Sequence, residues 1–462
     1  MKSHTKIAIL SSASGGGAGI AAKRMCDALS QLEEYSADFI DIAATCEVLP
    51  DTVTLTESAS NRVFTDTHFT AENTGFVRGW IVSLLSNYDV INVHWASYLV
   101  TTSELIALAK KGKKILITMH DFYYSTGGCH YQAGCTGQLF SCIGCPQVDT
   151  RYFPYTSVMA AYREKVELLS YGNVHISAPS KYLLDAVVNT GIIHPASTHL
   201  IRNIYTAEDQ DFTDKQAVKS HIILIADSLS EKRKGMSLAI AALALANSKY
   251  DGEIIVHLVG HANDDLRRLC TEFRINAIFH GRIVEHGQLV ALYRNAGMLL
   301  TCSYEDNWPN ILVEAGAYGV VPVVGSGHGC EEFCRFFNIG SIVDNYTPNS
   351  FAAEILNCIE LYPSNEILHQ FSVAVRNTHR ATDVISTYTD VISKIPTSEC
   401  SFIKLNDFCK DMSVFSENFK EFSRLHGIVR LEPIKAGPFS SQSLEFSGYG
   451  FASLTTTQVT KL

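Results

Sequence analysis

Short apolar runs alternate with amphipathic stretches along most of the chain. That pattern predicts an α/β protein with parallel strands joined by helices. Lys6–Ser11 reads as the first strand; Gly15, Gly16, Gly17 and Gly19 follow it, then a helical stretch over Ile20–Leu32. Further strands are predicted at Ala37–Ile42, Val90–His94, Ile115–Met119 and Val174–Ala178. Between them, Phe76, Val77, Trp80, Ile81, Leu84 and Leu85 fall at helical spacing, which predicts a helix facing the core rather than a membrane. A second series begins near Ile222, with strands at Ile222–Ala226, Ile254–Val259, Ala277–His280, Met298–Cys302 and Val320–Val324. Helices fill the gaps, among them Met236–Ala246 and Ile311–Tyr318. Ile201–Lys219 is polar and irregular, the character of a linker, and no repeat of fixed period is present. The expected division is 1–205, 206–396 with a last helix crossing back to the first domain, and an extension over 397–462 that carries no clear period.

Composition narrows this picture. A chain of 462 residues suits two or three domains, and 46% hydrophobic against 18% charged residues favours folding over disorder. A net charge of -10 argues against a partner with a phosphate backbone, so nucleic acid is not expected. No apolar run reaches the ~18 residues of a membrane-spanning helix. Met1–Leu10 lacks the apolar stretch of an export leader and reads as the approach to the first strand. The expected compartment is therefore the reducing cytoplasm, in which most of the 13 cysteines are free thiols or metal ligands.

Several positions carry candidate chemistry. Gly17 and Gly19 stand where a strand meets a helix, and unpaired N–H groups there can receive a diphosphate. A tight turn would require glycine as well. The spacing is not the full dinucleotide fingerprint, and no acidic residue in this half is placed for a ribose. The strongest stretch runs from Ser303 to Val324 as strand, loop, helix and strand, with Asp306 and Glu314 eight positions apart. Carboxylates at the mouth of a cleft accept hydrogen bonds from ribose or sugar hydroxyls. The loop from Asn307 to Asn310 forms a helix N-terminus suited to a phosphate or sugar oxygen. The alternative is that Asp306 caps the helix and Glu314 lies on a solvated face. In the first half, His94 and His120 each end a strand, the end at which parallel sheets bind ligands.

The Ser303–Val324 stretch resembles the large retaining glycosyltransferase family of GT-B fold, which includes bacterial exopolysaccharide and lipopolysaccharide transferases. That family carries a Glu-x7-Glu motif running into Ala, Gly and Pro-Val. Here Glu314 holds the second position and Asp306 the first, and the surrounding Glu-Asp-Asn-x-Pro-Asn form is similar to the colanic-acid-type branch. The resemblance implies two Rossmann-like domains with a donor cleft between them. It implies that Glu314 binds the donor ribose, that Asp306 contacts the transferred sugar, and that Lys234, with Arg233 beside it, holds the diphosphate. It also places His120 against the donor sugar, the strand end through Ile283 beside the nucleobase, and Gly325–Glu332 in the glycine-rich loop. The implied partners are a nucleotide sugar and a glycan or lipid-linked acceptor, with peripheral association at the inner face of the cytoplasmic membrane. No catalytic cofactor is implied, because side-chain cations take the place of a metal at the leaving group. The rivals are a sugar-nucleotide epimerase on the same fold and a non-catalytic nucleotide-sugar or glycan-binding protein.

Cys129, Cys135, Cys142 and Cys145 follow His120 within one glycine-rich segment. The closing Cys-x2-Cys pair has ligand spacing, and four thiolates would make a closed structural zinc site. Disulfides or free thiols are the alternative.

Overall fold

The computed structural model describes residues 4–397, except 13, 42–53, 57–62, 64–66, 98 and 207–216, together with 443–444 and 454–455. The chain divides into two units, Met1–Cys400 and Ser401–Leu462. Within the second, Ser443–Leu444 pairs antiparallel with Leu454–Thr455. The rest of the extension, and the middle of the Ile201–Lys219 linker, lie outside the described residues.

The larger unit holds two six-stranded sheets. The first contains β1 (Thr5–Ser11), β2 (Tyr35–Ile40), β3 (Val90–Trp95), β4 (Lys114–Thr118), β5 (Val174–Ala178) and β6 (Thr198–Leu200). Their order is β2-β1-β3-β4-β5-β6, and every neighbouring pair is parallel. The second contains β7 (Val218–Ser228), β8 (Ile255–His261), β9 (Asn276–Gly281), β10 (Ala296–Thr301), β11 (Val321–Gly325) and β12 (Ser341–Val343). Its order is β12-β11-β10-β7-β8-β9, again all parallel. A strand covered on both faces must be apolar throughout rather than alternating. Val90–Val93, Ile115–Ile117 and all of β10 are buried accordingly.

The predicted strands fall within one to four residues of the observed ones. Two short edge strands, β6 and β12, escaped the sequence reading; each is only three residues long. The first helix spans Gly16–Leu29, so the glycine cluster opens the helix itself. The segment expected to be a core-facing helix over 76–85 departs further. The helix is Gly79–Leu85, and it buries Ile81, Val82 and Leu85 while Phe76, Val77, Trp80 and Leu84 are exposed. Two turns of helix can bury one stripe, and Phe76 and Val77 precede the first turn. Arg78, at the N-cap, fixes that start by donating to both Glu104 oxygens at 2.7 Å.

The chain passes from the first sheet to the second after β6 and returns at its end. Helix Asn365–Thr378 packs under the second sheet through Leu368, Phe371 and Val375. After His379 the chain enters helix Ala381–Lys394. Its Val384, Ile385, Tyr388, Val391 and Ile392 join Ile7, Ile9, Met25 and Leu29 in one apolar cluster of the first sheet.

Candidate active site

Loops leaving the carboxyl ends of both sheets meet in one place. Beyond β10, Pro309 starts helix Asn310–Ala317; its fixed backbone angle suits the extended N-cap. Asp306 therefore does not cap that helix. Its carboxylate accepts from Lys234 Nζ at 2.7 Å and from Arg233 Nη1 at 3.2 Å. Burial opposes ionisation of Asp306, but Lys234 and Arg233 outweigh it and hold the carboxyl well below the ordinary range. The same cations reach it because the Lys232–Lys234 turn after β7 ends at Gly235, whose φ is +65°. A Cβ at Gly235 would lie 2.2 Å from the Cys302 carbonyl, so only glycine fits there. Gly329 is needed for a second close approach: a Cβ would lie 1.1 Å from the Asn307 carbonyl.

Glu314 lies in the middle of its helix, mostly buried, and forms an ion pair with Arg24 of helix Gly16–Leu29 at 3.0 Å. Asn310 Nδ2 donates to the Gly17 carbonyl at 3.0 Å, and Asn203 Nδ2 donates to Asn310 Oδ1 at 2.9 Å. The glycine turn after β1 and the Asp306–Glu314 loop are thus brought together. Gly17 is exposed in the first helical turn, where N–H groups lack intrahelical partners. Gly19 is buried and lies one residue beyond those free donors, so of the two glycines Gly17 alone offers an N–H to a ligand. Ile283, just past β9, is half-buried, and the neighbouring Arg282 guanidinium would stand 3.4 Å from a Cβ on Gly15.

His120 follows β4, and Asn307 Nδ2 donates to the carbonyl of its neighbour Met119 at 3.4 Å. Asn307 also receives the Ser180 hydroxyl. The tautomer of His120 follows from its partners. Asn92 Nδ2 donates to Leu116 and to Thr118, so its Oδ1 is an acceptor. His94 Nε2–H donates to that oxygen at 3.2 Å, which leaves Nδ1 of neutral His94 to accept from His120 Nε2–H at 2.9 Å. Burial pushes His120 down to about 4, so it is neutral at pH 7 and Nδ1 carries its lone pair.

Other residues that bind the site were not singled out from the sequence. Glu305 is buried, and its two oxygens accept the Gln132 and Ala133 N–H groups at 2.9 Å each. Tyr131 lies under Arg233, whose guanidinium carbon is 3.8 Å from the ring centre. Glu332 accepts from the Lys181 and Tyr182 amides and from Arg202. His328 Nε2 donates to the Ser303 carbonyl at 2.8 Å, and Asp306 is among the charges that act on it. A pair of adjacent carboxylates in Tyr304-Glu305-Asp306-Asn307 was the available signal: Glu305 faces the first sheet's loop and Asp306 the second sheet's cations.

Cys129, Cys135, Cys142 and Cys145 line one cavity of about 20 Å³ with Thr126 and Gln147. All four are free thiols. Among the described residues, no group of three or more His, Cys, Asp and Glu side chains holds metal-binding geometry as folded. Nor is any helix among them long and apolar enough to cross a membrane.

The paired parallel sheets and the charged loops between them define a GT-B protein. Residues 207–376 match the model of the family described as Glycosyl transferases group 1. The chain is 26% identical over 258 residues to WcaC of Escherichia coli (strain K12), named provisionally as a colanic acid biosynthesis glycosyl transferase. That match covers 52% of this chain and 59% of WcaC. Among solved structures, HepE of Anabaena, in complex with UDP and glucose, is similar with a TM-score of 0.56 at 16% identity, over 84% of this chain and 100% of its own. Sucrose-phosphate synthase of Thermosynechococcus elongatus gives 0.55 at 14% identity, over 85% and 99%. The lipopolysaccharide outer core galactosyltransferase WaaB gives 0.53 at 14% identity, over 84% and 99%. These likenesses establish the fold.

Proposed function

We propose that the protein transfers a sugar from a nucleotide-sugar donor to a glycan or lipid-linked acceptor in surface polysaccharide synthesis, with retention of anomeric configuration. The observation that carries this reading is the pairing of Lys234 and Arg233 with Asp306, next to Asn307, which donates to Met119 beside His120, with Glu314 on the following helix paired to Arg24 of helix Gly16–Leu29. In the reaction the bond between the anomeric carbon and the diphosphate breaks. A new bond forms to an acceptor hydroxyl, whose proton leaves. Lys234 and Arg233, with the Gly17 amide, neutralise the departing diphosphate without a metal. Glu314 receives the ribose hydroxyls once Arg24 yields it, Asp306 and neutral His120 accept from the sugar, and the amides of Asn310 and Ile311 in the first helical turn contribute donors beside Asn307. The strand end at Ile283 lies beside the base. The acceptor would approach from the first sheet, at the inner face of the cytoplasmic membrane.

A panel of nucleotide sugars tested by thermal shift, followed by a hydrolysis assay on each hit, tests the reading. Stabilisation by one donor with slow release of free sugar is expected. Donor interconversion without any acceptor would favour an epimerase. Tight binding with no turnover across a range of acceptors would favour a binding protein.

A further inference from the structure

We propose that Cys129, Cys135, Cys142 and Cys145 form a structural metal site that takes one zinc ion as four thiolates. The inference is independent of the transfer chemistry. All four come from a single stretch of seventeen residues and line one small cavity, whose volume of about 20 Å³ is roughly that of a single bound water or ion. Cys129 and Cys145 are within hydrogen-bonding reach of each other, and Cys135 and Cys142 are close enough to act on Cys129 electrostatically.

Burial pushes the Cys142 thiol up, and backbone donors at two of the sulfurs work against that. The Gly137 N–H donates to Cys135 Sγ at 3.3 Å, and the Gly127 N–H donates to Cys142 Sγ at 3.2 Å. Such donors stabilise negative sulfur. Ser141, Cys142 and Gly144 have φ of 58°, 54° and 64°, so the Cys142–Cys145 segment is a tight left-handed turn that puts both thiols on the one cavity. A non-glycine residue held in that region costs energy that a neighbouring interaction must offset.

A second observation is Lys165. It is fully buried, with Nζ 3.1 Å from the Thr126 carbonyl and 3.5 Å from the Tyr123 ring centre. Burial pushes the Lys165 ammonium down from its ordinary value, and Glu72, Cys142, Cys129 and Asp121 oppose that shift. A buried ammonium requires compensating negative charge nearby. A zinc ion with four thiolates carries a net charge of minus two and would add to that of Glu72 and Asp121.

As folded, the sulfurs hydrogen-bond to protein neighbours, Cys129 Sγ to Gln147 Oε1 at 3.2 Å among them. Ligation requires them to turn about Cα–Cβ toward the cavity, to ~2.3 Å from the ion. The four S–H protons pass to solvent as Zn–S bonds replace them. With four protein ligands no position stays open for water, so the ion is structural. What it holds is specific: Tyr131 under Arg233 and the Gln132 and Ala133 amides on Glu305 all lie between the first and second ligands.

The test is elemental analysis of the whole chain purified with reductant, together with cobalt substitution. Near one zinc per chain is expected, released by a mercurial. Cobalt should give the absorption of a tetrahedral tetrathiolate centre, absent from a Cys142→Ser, Cys145→Ser variant. If that variant does not fold, the wild-type stoichiometry and the cobalt spectrum still decide. Protein that carries no stoichiometric metal and in which these four cysteines all react as free thiols would overturn the proposal. So would a mass showing that they pair as disulfides.

Discussion

Asp306→Asn is the most informative single substitution, because it removes a charge and leaves the shape. Asp306 lies 2.7 Å from Lys234 Nζ and 3.2 Å from Arg233 Nη1, with side-chain exposures of 13%, 15% and 6% respectively. At an effective dielectric of ~20 each contact has a gross attraction of roughly 5–6 kcal/mol, most of it offset by desolvation. Breaking such a pair strands the remaining charges at a net cost of ~3–5 kcal/mol. For a domain of this size ~1 kcal/mol moves the midpoint by ~2–4 °C, so a fall of roughly 6–20 °C is expected in a thermal melt. Acid should erase the difference. A carboxyl with a depressed folded value stabilises above its unfolded value, near ~3.9, and loses that contribution as pH falls toward the folded one. Affinity should move the other way. The freed cations can each make a charge-assisted bond of ~1.5–3 kcal/mol to phosphate. A nucleoside diphosphate should therefore bind about tenfold tighter or more at low salt, while sugar transfer falls. An unchanged midpoint, with affinity for the diphosphate no tighter than wild type, would refute the reasoning.

Lys234→Ala should abolish transfer far more completely than a divalent-metal chelator does; loss in chelator that magnesium restores would point to a metal-dependent reaction instead. Glu314→Ala should weaken donor binding in calorimetry by ~1.5–3 kcal/mol per lost bond, with the fold intact by circular dichroism. Glu305→Ala should unfasten the Gln132 and Ala133 amides, seen as faster hydrogen exchange at those two positions, while Glu305→Gln restores part of the protection. His379 is buried and its value is pushed down from 6.5 to about 4 by desolvation. A depressed folded value means its stabilisation is complete above the unfolded value and lost as pH falls toward 4. By pH 5 that loss is ~2 kcal/mol, measurable in the urea midpoint as the part of the wild-type acid loss that His379→Gln removes, His68, His120, His175 and His257 being depressed as well.

The central strands were legible because most are nearly unbroken apolar runs between glycine or polar punctuation, the mark of burial on both faces; β2 and β9, at sheet edges, are shorter on buried positions. The edge strands β6 and β12 were not, since three residues, mostly half-exposed, leave no pattern. Asp306, Glu314, Lys234 and His120 could be read as candidates from the ends of strands and from a resemblance. Sequence could not show that Asp306 neutralises Lys234 or that Glu314 is paired with Arg24, because these partners lie 72 and 290 positions apart. Glu305 was overlooked for a related reason: its neighbour carried the motif, and its own partners are backbone amides 172 and 173 positions away. The apolar stretch at 76–85 misled because helical spacing says which residues share a stripe and nothing about whether anything covers it. Phe76, Val77, Trp80 and Leu84 remain exposed.

The chain crosses between its two sheets at two places, and the crossings are stitched to each other. His379 Nδ1 donates to the Asn203 carbonyl at 2.6 Å, the Tyr205 amide donates to the His379 carbonyl at 2.9 Å, and Trp308 Nε1 donates to His379 Nε2 at 3.4 Å. Two strands of chain pinned side by side act mechanically as one pivot. They leave the halves little freedom to slide or to twist apart, and chiefly a swing about the pinned segment. Sequence changes at Asn203, Tyr205 and His379 therefore alter the stiffness of a joint rather than the chemistry at its jaws. The Arg24–Glu314 and Glu305–Gln132 fastenings act as latches, whose release sets how wide that joint opens.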